Sequence, residues 1–98
     1  MKELRKISKE ELKEVLKSHK NWLDYKQGVK ADLSYADLCD AILCHANLGG
    51  ANLTGADLLG ANLGDADLYD ANLLFANLES ADLCDAILCH ANLGGANL

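Results

Sequence analysis

The sequence predicts a mainly β solenoid, a chain that turns a corner every five residues, preceded by one short helix. Three observations carry this. From Ala31 to Leu98 the phrase Ala-x-Leu-x-x recurs fourteen times without a skip, and its second letter is Asp or Asn everywhere except Ile42 and Ile87. A period of five fits neither regular element. On an α-helix it advances about 500°, so successive leucines land about 140° apart, and on one long strand an odd period flips them from face to face. Finally, residues 1–30 lack the repeat and carry helical spacing instead.

A corner every five residues returns each Leu to the inside. Ala stands two residues before its Leu, so on an extended side the two share the inward face, and the Asp or Asn between them points outward. The last two letters fall at or beyond the corner. There Gly (49, 50, 55, 60, 64, 94, 95) and Asp (40, 65, 70, 85) serve as turn formers.

In the N-terminal segment, Ser8-Lys9-Glu10-Glu11 is a capping box, with Ser8 accepting from the Glu11 amide and the Glu11 carboxylate reaching back. Leu12, Val15, Leu16, His19, Trp22 and Leu23 follow helical spacing. The spacing predicts a helix from about Lys9 to about Lys20 and a loop over 24–30. Lys9, Lys13, Lys17 and Lys20 occupy the opposite face. Such a basic amphipathic helix suits a membrane surface. The expectation favoured here is a lid on the first coil, with Trp22 and Leu23 covering leucines and strand edges that would otherwise lie open.

The run Ala51-Asn52-Leu53, Thr54-Gly55, Ala56-Asp57-Leu58, with its neighbours over 31–98, resembles the pentapeptide-repeat family, in particular short, helix-capped members of the cyanobacterial type. The resemblance implies a right-handed quadrilateral parallel β-helix. Four phrases, or twenty residues, would make one coil, giving about 3.5 coils and a height of ~17 Å at the usual strand spacing. The expected organisation is a capping helix and loop over 1–30 and the β-helix over 31–98, together one structural domain.

Charge is divided between the two parts. Residues 1–30 hold nine basic and five acidic side chains; 31–98 hold ten acidic and no Lys or Arg, so a net −6 conceals a basic lid and an array of −10. An acidic array of this kind is not a nucleic-acid binder. No segment reaches the length of a membrane span, and the Lys2-Glu3-Leu4-Arg5 opening is not a secretory signal. The expected location is cytoplasmic, with the four cysteines reduced.

Cys39, Cys44 and His45 recur as Cys84, Cys89 and His90 because residues 36–53 and 81–98 are identical. A zinc site needs ligands at close quarters. On a four-sided coil Cys39 and Cys44 lie on neighbouring sides, and Cys44 and Cys84 lie two coils apart, so no metal, cofactor or disulfide is expected. Catalysis needs a concave site with a base and a nucleophile, which a convex prism does not offer, and no enzyme activity is expected. Ile42, Ile87, Tyr35 and Phe75 are outward apolar residues and weak contact candidates.

The function expected is a structural or protein-interaction scaffold with an unknown protein partner. Sorted by side, the acids concentrate on one: Asp37, Asp40, Asp57 and Glu79. The family resemblance implies an alternative, since some members form acidic rods that mimic B-DNA and bind type II topoisomerases such as gyrase. The sequence stops inside the second copy of the duplicated block, so the last coil is expected to be open, with Leu98 as a candidate end-to-end contact for self-association.

Overall fold

The computed structural model describes residues 3–98; Met1 and Lys2, the first residues of the expected 1–30 segment, lie outside them. The solenoid ladder follows directly from the repeat. Parallel bridges pair Asp32 with Asn52, Asp37 with Asp57, Ile42 with Asn62, and so on to Asn77 with Asn97, each joining residues twenty apart. Four five-residue phrases therefore separate one coil from the next. The pairing is a row of single bridges and not of strands, because only the second letter of each phrase lies clear of a corner on both sides.

Four backbone bonds repeat. The Leu33 amide donates to the Asn52 carbonyl at 2.8 Å, the Tyr35 amide to the Thr54 carbonyl at 2.8 Å and the Asn52 amide to the Ala31 carbonyl at 3.0 Å, which ties coil to coil; within the coil, the Ala36 amide donates to the Leu33 carbonyl at 3.1 Å and closes the corner. Each corner places its fifth letter in the left-handed region, with φ from 57° at Tyr35 to 73° at Gly50. Sequence reasoning assigns the corner to Gly and Asp. The structure holds Tyr35, His45, Phe75, Ser80 and His90 there as well, against an intrinsic cost that only the surrounding ladder offsets.

Parity places the core correctly. Leu33, Leu38, Leu43, Leu48, Leu53, Leu58, Leu63, Leu68, Leu73 and Leu78 are all buried, with the inward alanines between them.

Helix α1 spans Lys9–Leu23. The Ser8 hydroxyl accepts from the Glu11 amide at 3.0 Å. The return bond from the Glu11 carboxylate is not among the side-chain hydrogen bonds of the described residues. The helix runs three residues past the expected end at Lys20 because its stop is not a glycine. Tyr25 adopts φ 60°, its amide donates to the Trp22 carbonyl, and the Lys26 amide donates to the Asn21 carbonyl at 2.8 Å. This is a Schellman closure with a tyrosine at the position glycine usually fills.

Ile7, Leu12, Val15 and Leu16 pack against the leucine and alanine core. A second tie precedes the helix and has no repeat signature. Arg5 pairs with Ala36 as a parallel bridge, its amide donating to the Tyr35 carbonyl at 2.7 Å and its carbonyl accepting from the Asp37 amide at 2.8 Å. The Arg5 guanidinium then donates to the carbonyls of Ser34 and Asp32 at 2.9 and 3.0 Å. One residue thus satisfies several backbone groups of the first coil that a preceding coil would otherwise meet.

Candidate functional site

The outward letters are the place to look, and the structure divides them by what they already do. At the second letter the side-chain oxygen accepts from the backbone amide two residues on, as in Asp37 to Cys39, Asn52 to Thr54, Asn62 to Gly64, Asn72 to Leu74 and Asp82 to Cys84, at 2.9 to 3.2 Å. This is the Asx turn, and it explains why the letter is Asp or Asn. Sequence parity assigned the letter to solvent and missed this bond. Ile42 and Ile87 have no side-chain oxygen to make it, and they are 77% and 50% exposed.

The aromatic pair on one side has a structural task of its own. A Cβ on Gly55 would run into the Tyr35 ring and one on Gly95 into the Phe75 ring. Each ring lies over the glycine of the following coil, whose φ of 65° suits a residue without a side chain. Tyr35 and Phe75 shield backbone before they offer contact surface.

The acidic side gathers three of its four members around one thiol. Asp40, Asp57 and Asp37 all raise the Cys39 pKa, after a larger contribution from partial desolvation, and the Asp40 carboxylate lies 3.8 Å from Cys39 Sγ. Glu79 is not among the carboxylates that act on this thiol. Asp57 also accepts from the Leu59 amide and from Asn77 Nδ2, at 3.1 and 3.2 Å. Cys84 is held protonated likewise, by Asp85 first, then Asp82, desolvation and Asp65. All four cysteines are free and exposed, and a raised pKa makes these two poor nucleophiles. His45 Nε2 sits 3.7 Å from the Asp65 carboxylate in the next coil, whereas His90 meets the Tyr69 ring edge-on at 5.5 Å. Among the described residues no three His, Cys, Asp or Glu side chains gather closely enough to share a metal ion.

The solenoid sides are convex, but α1 makes two shallow grooves where it meets the first coil. One, of about 300 Å³, lies between Val15, Ser18, Val29, Lys30, Ala31 and Asp32. The other, of about 340 Å³, is lined by Trp22, Leu23, Gly50, Asp67, Tyr69 and Asp70 among others. Trp22 and Leu23 thus lie at the corner formed by Gly49 and Gly50, and Trp22 remains 40% exposed. Leu98 is 73% exposed at the far end.

Comparison with known proteins assigns the family. The sequence profile described as pentapeptide repeats matches residues 31–68 and 66–98. The chain belongs to the pentapeptide-repeat family. Its fold is similar to a pentapeptide-repeat protein, Rfr23, from the cyanobacterium Cyanothece 51142, with 39% identity over 70% of this chain and 47% of that one and a TM-score of 0.69. It is also similar to HetL from Nostoc sp. strain PCC 7120, a pentapeptide-repeat protein involved in heterocyst differentiation regulation, with 45% identity over 70% of this chain and 37% of that one and a TM-score of 0.50. A third relative is a pentapeptide-repeat protein of the Arabidopsis thaliana thylakoid lumen, 37% identical over 66% of this chain and 48% of that one, with a TM-score of 0.42. The matched region therefore spans less than half of each relative. No curated protein matches the chain.

The family match and the likeness to Rfr23 give the solenoid as a right-handed β-helix. Pentapeptide-repeat proteins are generally scaffold or interaction proteins, and generally non-catalytic. No helix among the described residues is long and apolar enough to cross a membrane.

Proposed function

We propose that this pentapeptide-repeat protein is a non-catalytic scaffold that binds a protein partner through one side of its solenoid, the side carrying Asp37, Asp40, Asp57 and Glu79. The observation that carries this reading is the division of labour among the letters. Ala and Leu form the core and the second letter holds the turn, so recognition is left to the fourth and fifth letters, and on this side those include Asp40 and Glu79. The relatives' general role as interaction proteins supports it. Residues 1–30 act as a cap on about 3.5 four-sided coils and form one structural domain with 31–98. Four free, exposed cysteines fit a reducing compartment, the cytoplasm.

The partner bears a basic surface, and binding weakens with salt. Asp40→Asn with Glu79→Gln should weaken capture of that partner at least tenfold, while Asp65→Asn with Asp85→Asn, on the next side, leaves it unchanged. Equal capture by both double variants would remove the acidic side as the interface. Mimicry of duplex DNA is the competing reading. The molecule's longest extent is 33 Å, which is about ten base pairs at 3.4 Å per step, and the acids favour one side. A supercoiling assay separates the two readings: inhibition of a type II topoisomerase at micromolar protein would overturn the scaffold reading in favour of mimicry. We further propose that the 98-residue polypeptide self-associates through the half-buried Leu83, Leu88 and Leu93, with the exposed Leu98 at the contact.

A further inference from the structure

We propose that His19 is a pH-operated latch, and that protonating its ring releases α1 from the first coil and uncovers the N-terminal end of the solenoid. His19 is the buried polar residue of the described chain, with no accessible surface. Its two ring nitrogens are committed to backbone groups on the first coil. Nε2 lies 2.8 Å from the Gly49 carbonyl, and Nδ1 accepts from the Ala31 amide at 2.9 Å. A carbonyl only accepts and a backbone amide only donates, so this geometry requires the neutral ring with its hydrogen on Nε2. The imidazolium carries a hydrogen on both nitrogens. Its Nδ1–H would point at the Ala31 N–H, so the ring must either exclude the second proton or leave.

The position makes this matter. Ala31 opens the first coil and Gly49 stands near its end, so one imidazole spans both ends of that coil and fixes the helix to them. Leu12, Val15 and Leu16 of the helix rest on the core by apolar contact, while Ile7 and Arg5, which precede it, keep the chain tied there, Arg5 through its bridge to Ala36. Release at His19 therefore loosens a tethered helix from the first coil.

Of the charged side chains around this junction, Lys30 opposes the imidazolium. From the loop, Lys30 bears on the ring, with its ammonium 6.0 Å from the Trp22 ring centroid. From α1, Trp22 stacks on His19 at 5.4 Å, and Lys20 is engaged by Asp24 at 2.9 Å. Carboxylates line both grooves, Glu11 and Glu14 of α1 with Asp32 in one and Asp67 and Asp70 in the other. Burial pushes the His19 pKa down, the Gly49 bond pushes it up, and Lys30 pushes it down again, with a net lowering. The folded pKa thus lies below the unfolded value of about 6.5. The latch is fully engaged above pH ~6.5 and weakens as pH falls from there through the folded value. In that window one proton is taken up on opening, so each pH unit multiplies the opening constant by about ten.

The test uses the full chain with His45→Gln and His90→Gln, which leaves His19 as the lone histidine. The His19 ring is titrated by NMR while amide exchange is followed at Ala31 and at mid-solenoid Leu63, with rates corrected for intrinsic pH dependence. Trp22, the single tryptophan, reports the stack by its fluorescence. The expected result is Ala31 exchange rising by up to about tenfold per pH unit from ~6.5 down to the folded His19 value and levelling off below it, while Leu63 stays protected, with a matching change in Trp22 emission. His19→Gln keeps one donor and one acceptor without titrating in this range, and it should abolish the slope. Flat Ala31 protection from pH 7 to pH 5 would overturn the latch, as would loss of Leu63 protection in step with Ala31. If His19→Gln does not dock, the ring titration of the parent decides: a His19 pKa at or above 6.5 with Ala31 still protected overturns it.

Discussion

Residues 36–53 and 81–98 have the same eighteen letters and lead different lives. In the first copy Leu38, Leu43, Leu48 and Leu53 are 0 to 2% exposed, while in the second Leu83, Leu88 and Leu93 are half-buried and Leu98 is 73% exposed. The backbone corners are the same in both, with φ 60° at Asp40 and Asp85, and 63° and 62° at His45 and His90. The letters therefore fix the corner but not the burial, which belongs to whatever lies above and below. The first copy lies between α1 and a following coil; the second has a coil on one side only among the described residues. The copies also meet different neighbours, because forty-five residues is not a whole number of twenty-residue coils. Cys39 accordingly feels Asp57 from the next coil, Cys84 feels Asp65 from the one before, and His45 finds a carboxylate where His90 finds a tyrosine.

The comparison breaks most directly at its leucines. Leu43→Ala should cost about 3 kcal/mol, in the range for a fully buried leucine in a close-packed core. Leu88→Ala, the equivalent residue of the second copy, should cost about 1 kcal/mol, since its side chain already keeps part of its surface in water. Denaturant midpoints at constant m-value measure both, and equal losses would mean that the second copy is covered in solution. Self-association would supply such cover. Sedimentation velocity should then show a concentration-dependent dimer that Leu98→Lys converts to monomer, and a wild-type monomer at high concentration would remove the proposal.

The smallest effect sharpens the comparison at the outward letters. Ile42→Asn restores the Asx bond to the Cys44 amide and should stabilise by about 1 kcal/mol, the net worth of one hydrogen bond. Ile87→Asn should gain less, because among the described residues it bridges a coil on one side only and lacks the α1 cover of the first copy. If neither gains, the isoleucines already pack on something the ladder does not provide. If either weakens partner capture, that isoleucine contributes to the interface.

Much of this was legible in the letters because the repeat is strict. A five-residue phrase with fixed Ala and Leu forces a corner, a core and an outward skin, and the bridges and buried leucines match. The Ser8 cap was legible as well, since a side-chain acceptor three residues before an amide is a local signal. The helix end was not, because the chain stops it with Tyr25 in a conformation normally read from glycine. Arg5 carried no signal either, since its value lies in reaching carbonyls twenty-seven and twenty-nine residues away. His19 reads in the sequence as one more residue on the apolar face, yet its two ring nitrogens hydrogen-bond the first coil at Gly49 and Ala31.

By itself, then, the sequence determined the solenoid, its inward column, its corners and the helix before it, because each follows from contacts within a phrase or from parity along one side. Tertiary structure decided which chemically equivalent leucines are dry, which carboxylates surround a thiol, and that a buried imidazole joins both ends of the first coil. Those outcomes depend on residues brought together across coils, where the electrostatics and the exclusion of water are set by neighbours twenty or more residues away.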